Sequence, residues 1–376
     1  MPTGLFELRR DAVTGWWVAT VVDRAFDRAR FRLAAEPVDD GGQCRNCREP
    51  PGDGVRHRLL RGDAFHVVGT EDEAGRAGDG ATQLSLGTPR AVGSWSTIVA
   101  PPGEHRPLHS VGVELIAGLL EAARQFIEET RRVGATEYVQ VVQNWGAQAG
   151  ARTNHLCLDV YDLPQVPHRV GEELGGAARF VIREGECPFC RLVRDEVRRG
   201  LRLVWQDAAS VAFAPFASRS PFEVWIVPRH HEADFGRATG PEIRSTAEAL
   251  RQVLGRLALL DGPPYNLVLH TAPLRERVDQ TYHWHWEIHP RLRAIAGLEL
   301  GTGLPVNPVA PEDAVEELLA AGAIELADGP PSRVAWSTGA EPGPGVGSEA
   351  HQGAADRSPR TDPDTTTEGP LSRGPS

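Results

Sequence analysis

The sequence contains no apolar run approaching the roughly 18–20 residues of a membrane span, so a membrane-crossing helix has no candidate. It shows no signal-peptide core either, since the opening MPTGLFELRRDAVTG lacks the required apolar stretch. A concentrated basic patch is also missing. Lys and Arg are scattered and the formal net charge is −11, which argues against a dedicated nucleic-acid binder. Cysteine is scarce and odd in number, five in 376 residues. In a long chain without an export signal, that disfavours a disulfide framework and favours metal or thiol chemistry in a reducing cytoplasm. What remains is ordinary: 40% hydrophobic and 24% charged residues, which exclude wholesale disorder.

Residues 335–376 are dominated by Gly, Pro, Ser, Thr and Asp with almost no bulky apolar side chains. Such a stretch buries too little surface to offset its ordering entropy, and it reads as a disordered tail. Residues 70–92 have a similar flavour and read as a long surface loop. Strand-like runs fall at 16–22, 95–101, 138–144, 210–216, 222–228 and 265–271. Helical periodicity marks 113–133, 242–260 and 311–322. Strands grouped around single long helices predict an α+β fold of antiparallel sheets with packed helices.

The chain also reads as two copies of one plan. The first has Cys44-x-x-Cys47, a strand ending in PPGEHRP, a long helix, a strand, then His155-Leu-Cys157-Leu-Asp159. The second has Cys187-x-x-Cys190, a strand ending in VPRHH, a long helix, a strand, then His283-Trp-His285-Trp-Glu287. Four elements in one order at nearly equal spacing predict two half-domains, 1–175 and 176–334.

Two cysteines spaced C-x-x-C clamp one zinc from a tight turn, and two histidines from distant strands complete a tetrahedral site. This nominates Cys44, Cys47, His105 and His155 in the first half, with His109 a competitor of His105. It nominates Cys187, Cys190, His231 and His283 in the second, with His230, His270, His285 and Glu173 as competing ligands. A buried or redox dithiol is the plain alternative for either pair. Alternation along 283–287 puts His283, His285 and Glu287 on one face, suited to metal binding or phosphate handling, and Trp284 and Trp286 on the other.

Several long segments carry a family resemblance. They are LRRDAVTGWWV, CRNC, NWGAQAGA, ECPFCRLVRDE, VAFAPFASRSPFEVWIVPRHH, PPYNLVLHTAP and YHWHWEIHPRLRAIAGLELGTGLPVNPVAPEDAVEELL. With these, most of residues 5–325 resembles the galactose-1-phosphate uridylyltransferases, a double-domain branch of the histidine-triad superfamily. The resemblance implies tandem histidine-triad-like half-domains and zinc beside the C-x-x-C. It implies transfer of a nucleoside monophosphate from a nucleotide sugar, through an active-site histidine, to a sugar 1-phosphate, with a place in galactose and nucleotide-sugar metabolism. It also implies a cytoplasmic homodimer. Asn144 and Gly146 match the loop used near the nucleotide, and Arg24 and Arg28 resemble nucleotide-contacting arginines.

The sequence departs from the family's His-x-His-x-Gln motif where it matters most. The metal-ligand histidine is kept as His155, but Cys157 stands at the nucleophile position and Asp159 at the glutamine. Arg152 replaces a small phosphate-contacting residue. An ionised Asp159 repels phosphate unless it is paired, and Arg152 is either that pair or a bidentate phosphate ligand itself. Three readings follow: Cys157 as an unusual nucleophile, His285 as the nucleophile at the repeat-equivalent position, or a non-catalytic nucleotide- or sugar-phosphate-binding protein on the same scaffold.

Overall fold

The computed structural model describes residues 6–21, 35–38, 44, 47, 58–60, 65–69, 93–133 and 136–322. Arg24, Arg28, the 70–92 loop and the 335–376 tail lie outside the described residues. The described residues belong to one compact unit, residues 1–331.

Five strands from each repeat build a single ten-stranded sheet. The first repeat supplies β3 (Arg58–Leu60), β4 (Phe65–Gly69), β5 (Ser94–Val99), β6 (Tyr138–Trp145) and β7 (Cys157–Leu163). The second supplies β8 (Leu203–Gln206), β9 (Ser210–Phe213), β10 (Val224–Pro228), β11 (Tyr265–His270) and β12 (His285–Pro290). Their order is β3-β4-β5-β7-β6-β11-β12-β10-β9-β8, so each half reads identically from its outer edge inward. The halves meet at an antiparallel seam, where Asn144 lies opposite Asn266 and Val142 opposite Val268. A small second sheet adds β1 (Phe6–Arg10), β2 (Trp17–Val21) and β13 (Val306–Asn307).

Each long helix predicted from periodicity forms, as α1 (Val113–Val133) and α4 (Gly240–Leu259). A reciprocal capping box, Thr239 with Glu242, starts α4 by satisfying otherwise orphaned N–H groups. Ile116, Leu120 and Ile127 of α1 join Leu250, Val253 and Leu257 of α4 in one buried core beneath the sheet. Each such side chain contributes about 1.5–3 kcal/mol on burial. Trp284 and Trp286 are buried on this side, edge-on to Phe235 at 5.1 and 5.7 Å.

Two helices that the periodicity did not single out cover the other face of the second half. They are α2 (His168–Glu184) and α3 (Pro188–Arg199), each closed by a left-handed glycine, Gly185 and Gly200. Val170, Leu174, Phe189 and Val193 seat them on Trp225 and Tyr282. On the first half, the same face leaves Cys157 and Tyr161 half-buried. Beyond β12 lie the short α5 (Gly297–Thr302) and α6 (Pro311–Ala320). No helix among the described residues is long and apolar enough to cross a membrane.

Candidate functional site

The first C-x-x-C forms a turn in which the Cys47 amide donates to the Cys44 carbonyl at 3.2 Å. Around it the structure brings together Cys44, Cys47, His105 and His155, with ligand atoms all within 4.8 Å of one another. Cys47 Sγ lies 3.0 Å from His105 Nε2 and 3.2 Å from His155 Nδ1, and Cys44 Sγ lies 3.6 Å from the same Nδ1. Tetrahedral zinc with ordinary Zn–S and Zn–N bonds separates its ligands by about 3.5 Å. His155 Nε2–H donates to the Ala100 carbonyl at 2.9 Å, which turns the Nδ1 lone pair toward the thiols. Burial keeps this imidazole below its usual range, in the neutral form a metal requires.

The second set is built differently. Cys187 caps α3 and Cys190 sits in its first turn, so a helix N-terminus replaces the expected tight turn. Cys187, Cys190, His231 and His283 also converge within 4.8 Å. Cys190 Sγ stands 3.2 Å from His231 Nδ1 and 3.6 Å from His283 Nδ1. The Cys187 hydrogen bond drives the Cys190 thiol down toward thiolate, with both histidines assisting. His231 Nε2–H donates to the Asp279 carbonyl at 2.7 Å, the same outer bond that orients His155. Of the competitors, His230 is exposed and faces Glu242 at 3.5 Å. Glu173, His270 and His285 form a separate buried cluster.

In that cluster His285 is fully buried. Its ring lies 4.8–4.9 Å from those of His270, Phe189 and Trp225, and its Nδ1 is 3.0 Å from the His283 carbonyl. His270 is clamped between carboxylates, Glu173 at 2.8 Å and Glu287 at 3.1 Å. Burial alone would lower its pKa, but the two carboxylates raise it to about 10. Glu287 Oε2 also receives Arg169 at 2.7 Å, Arg219 at 2.8 Å and His289 at 2.9 Å. Burial opposes its ionisation, yet Arg219 and His270 hold it well below the usual carboxylate range. The second motif is a walled-in charge network.

Among the described residues the first motif is less enclosed: Cys157 is half-buried and Arg152 exposed, while Asp159 is buried. Cys157 and Asp159 project from β7 beside β5, where Val99 pairs with Cys157 and Thr97 with Asp159. Burial, reinforced by the Asp159 carboxylate, pushes the Cys157 thiol up to about 12. Asp159 Oδ1 accepts from Arg152 Nη2 at 2.9 Å, Thr97 Oγ1 at 3.1 Å and Trp95 Nε1 at 3.4 Å. Arg152 is therefore the partner that neutralises Asp159, and its side chain remains half-exposed.

The neighbouring loop is held in place by backbone fit. Gly146 has φ +84°, and a Cβ there would meet Pro264 at 2.9 Å and Ala35 at 3.1 Å. Asn144 Oδ1 accepts from Asn266 Nδ2 at 2.6 Å, which also donates to the Ala149 carbonyl at 2.8 Å. Asn154 pairs through both amide atoms with the Val38 backbone at 2.7 Å, tying segment 35–38 to the motif. Trp95, Thr97, Asn154, Asn266 and Arg219 were not nominated by the sequence. Cross-strand register places Thr97, Trp95 and Asn266, whereas Asn154 and Arg219 follow from loop contacts.

A ten-stranded sheet of two mirrored halves, each ending in a His-x-(His/Cys)-x-acid strand beside a Cys₂His₂ cluster, defines a double histidine-triad protein. The ADP-glucose phosphorylase of Arabidopsis thaliana is 31% identical over 239 residues, spanning 62% of this chain and 67% of that protein. The galactose-1-phosphate uridylyltransferase of Thermotoga maritima is 28% identical over 205 residues, spanning 51% and 64%. The crystal structure of an Arabidopsis ADP-glucose phosphorylase with bound ADP-glucose superposes with a TM-score of 0.67 at 27% identity, over 83% of this chain and 98% of that one. A uridylyltransferase structure gives 0.66 at 29% identity, over 84% and 98%. No protein-family model matches the chain. The chain belongs to the galactose-1-phosphate uridylyltransferase family of nucleotidyltransferases and phosphorylases, within the histidine-triad superfamily.

Proposed function

We propose that the chain transfers the nucleotidyl group of a nucleotide sugar to a phosphate acceptor, at the first-half site. The observation that carries this reading is the Arg152–Asp159 pair standing at the family's phosphate-handling positions beside a Cys₂His₂ cluster. The Arabidopsis relative named ADP-glucose phosphorylase supports inorganic phosphate as acceptor. The uridylyltransferases support a sugar 1-phosphate, with a role in galactose metabolism as the finer alternative.

Zinc held by Cys44, Cys47, His105 and His155 would supply a rigid anchor: it would fix the 44–47 turn to the residue two positions before Cys157. The Cys187 set would anchor α3 to the second motif in the same way. The chain's own residues do the rest. Burial and the Asp159 carboxylate together raise the Cys157 thiol to about 12, so it is almost wholly protonated near neutral pH. No group among the described residues accepts the Cys157 proton. Direct displacement fits this better than a covalent intermediate. An acceptor phosphate oxygen bonds to the α-phosphorus, the bond to the bridging oxygen breaks, and a sugar 1-phosphate leaves. Arg152 offers charge-assisted donors to the phosphoryl oxygens as charge redistributes.

A second reading, a non-catalytic nucleotide-sugar-binding protein, is favoured by the loss of the first-half imidazole. Incubation with ADP-glucose or UDP-glucose plus inorganic phosphate, read by product release and intact mass, separates the readings. Sugar 1-phosphate release without a protein adduct is expected. An adduct abolished by Cys157→Ala would install the covalent route instead. Binding without turnover would leave the non-catalytic protein.

A further inference from the structure

We infer that Trp95 is a positioning residue for an anion subsite rebuilt around Arg152, an inference that rests on the nucleotide-sugar reading above. The antiparallel register of β5 and β7 sets Trp95 opposite Tyr161 and Thr97 opposite Asp159. The Trp95 and Tyr161 rings stack at 5.4 Å with 19° between their planes. The Arg152 guanidinium carbon sits 3.6 Å from the centre of the Trp95 ring, on top of that stack. Asp159 Oδ1 then gathers Arg152 Nη2, Thr97 Oγ1 and, at longer range, Trp95 Nε1.

This arrangement constrains a flexible cation twice. The indole face fixes the plane of the guanidinium, and the carboxylate fixes its rotation within that plane. Asp159 is buried and Arg152 is half-exposed, so the pair satisfies the carboxylate while the outer part of the guanidinium stays accessible to a ligand. Guanidinium carries five N–H donors, and one is committed to Asp159 among the described residues. The others make a planar fork suited to two oxygens of a phosphate. Asp159 keeps its bond to Arg152, so an arriving phosphate meets the uncommitted N–H donors of a side chain already held in place.

The inference predicts a chemical signature at Trp95. With ADP-glucose as the probe and calorimetry as the readout, Trp95→Leu should weaken binding about fivefold by removing the π face. Trp95→Phe should stay within about twofold of the parent, because a ring remains under the guanidinium. On an Arg152→Gln background, Trp95→Leu should add nothing. Circular dichroism and thermal melting of each variant exclude misfolding as the cause. Wild-type-like binding by Trp95→Leu, equal losses from Leu and Phe, or an undiminished loss without Arg152 would each overturn the positioning role. A parent protein that binds neither ADP-glucose nor UDP-glucose removes the nucleotide-sugar reading, and the subsite falls with it. Binding that is indifferent to Trp95 overturns the subsite alone.

Discussion

Glu287→Gln separates a structural second motif from a catalytic one. The carboxylate is fully buried and meets two guanidinium groups and two imidazoles within 3.1 Å. The amide keeps the shape and removes the charge, leaving Arg219 with Glu223 and His270 with Glu173 as their remaining carboxylates. Breaking one side of a buried ionic network costs about 3–5 kcal/mol. Arg169 is 40% exposed and can turn to solvent, so the lower end, about 3 kcal/mol, is expected. In a chain of this size each kcal/mol shifts the melting temperature by about 2 °C, giving a drop of about 6 °C. The pH dependence is fixed by sign. His270 is raised from 6.5 to about 10, so its ion-pair stabilisation is complete below the unfolded value and lost as pH climbs through 10. Glu287 is lowered, so its share is present above 4.5 and lost as pH falls through the depressed folded value. The gap between parent and variant is therefore widest near pH 6 and narrows by about pH 10. Thermal melts at those two values check it. A shift under about 2 °C, or an equal shift at both values, refutes the buried network. Loss of turnover with normal melting would return the chemistry to His285.

Three further outcomes follow from the geometry. Metal analysis of the purified protein should find two equivalents of zinc, falling by one in Cys47→Ser and by one in Cys190→Ser; a metal-free folded protein would refute both ligand sets. Alkylation of Cys157 by iodoacetamide, followed by peptide mass mapping, should be slow at neutral pH and should accelerate only as pH approaches 12, because burial and Asp159 hold the thiol protonated. Fast modification at pH 7 would revive the nucleophile. Gly146→Ala should destabilise by about 1–3 kcal/mol in urea unfolding, since it adds a left-handed φ penalty to close contacts with Pro264 and Ala35. An unchanged midpoint would show that the loop yields.

Much of the architecture was legible in residue order. Period-3.6 spacing located α1 and α4, which bury one face against the core, and strand-like apolar runs located β6, β10 and β11, of which β10 is buried on both faces. The two Cys₂His₂ groupings were legible because spacing constrains a turn or a helix start and the repeat supplies the histidines. The helices α2 and α3 escaped notice. Their polar faces carry clustered Arg and Glu, and only the folded sheet shows which side they cover. His285 looked equivalent to Cys157 in sequence, and nothing in the motif states that α2 and α3 enclose one and not the other. The pairing of Arg152 with Asp159, one of two roles weighed for that arginine, appears as a 2.9 Å contact between residues seven apart, and its other donors leave the phosphate role open to test. Trp95 lay in a strand-like run but was not nominated, since its role comes from pairing with Tyr161 across 66 residues of chain.

The antiparallel seam between β6 and β11 joins the two copies edge to edge, as any pair of neighbouring strands is joined. Sheet continuity asks nothing of either motif's chemistry, so after duplication each copy was at liberty to age in its own way. In one copy the motif's imidazoles are buried in a charge network; in the other the matching positions carry Cys157 and Asp159 beside a half-exposed Arg152. One continuous sheet therefore holds two chemically different motifs at equivalent places.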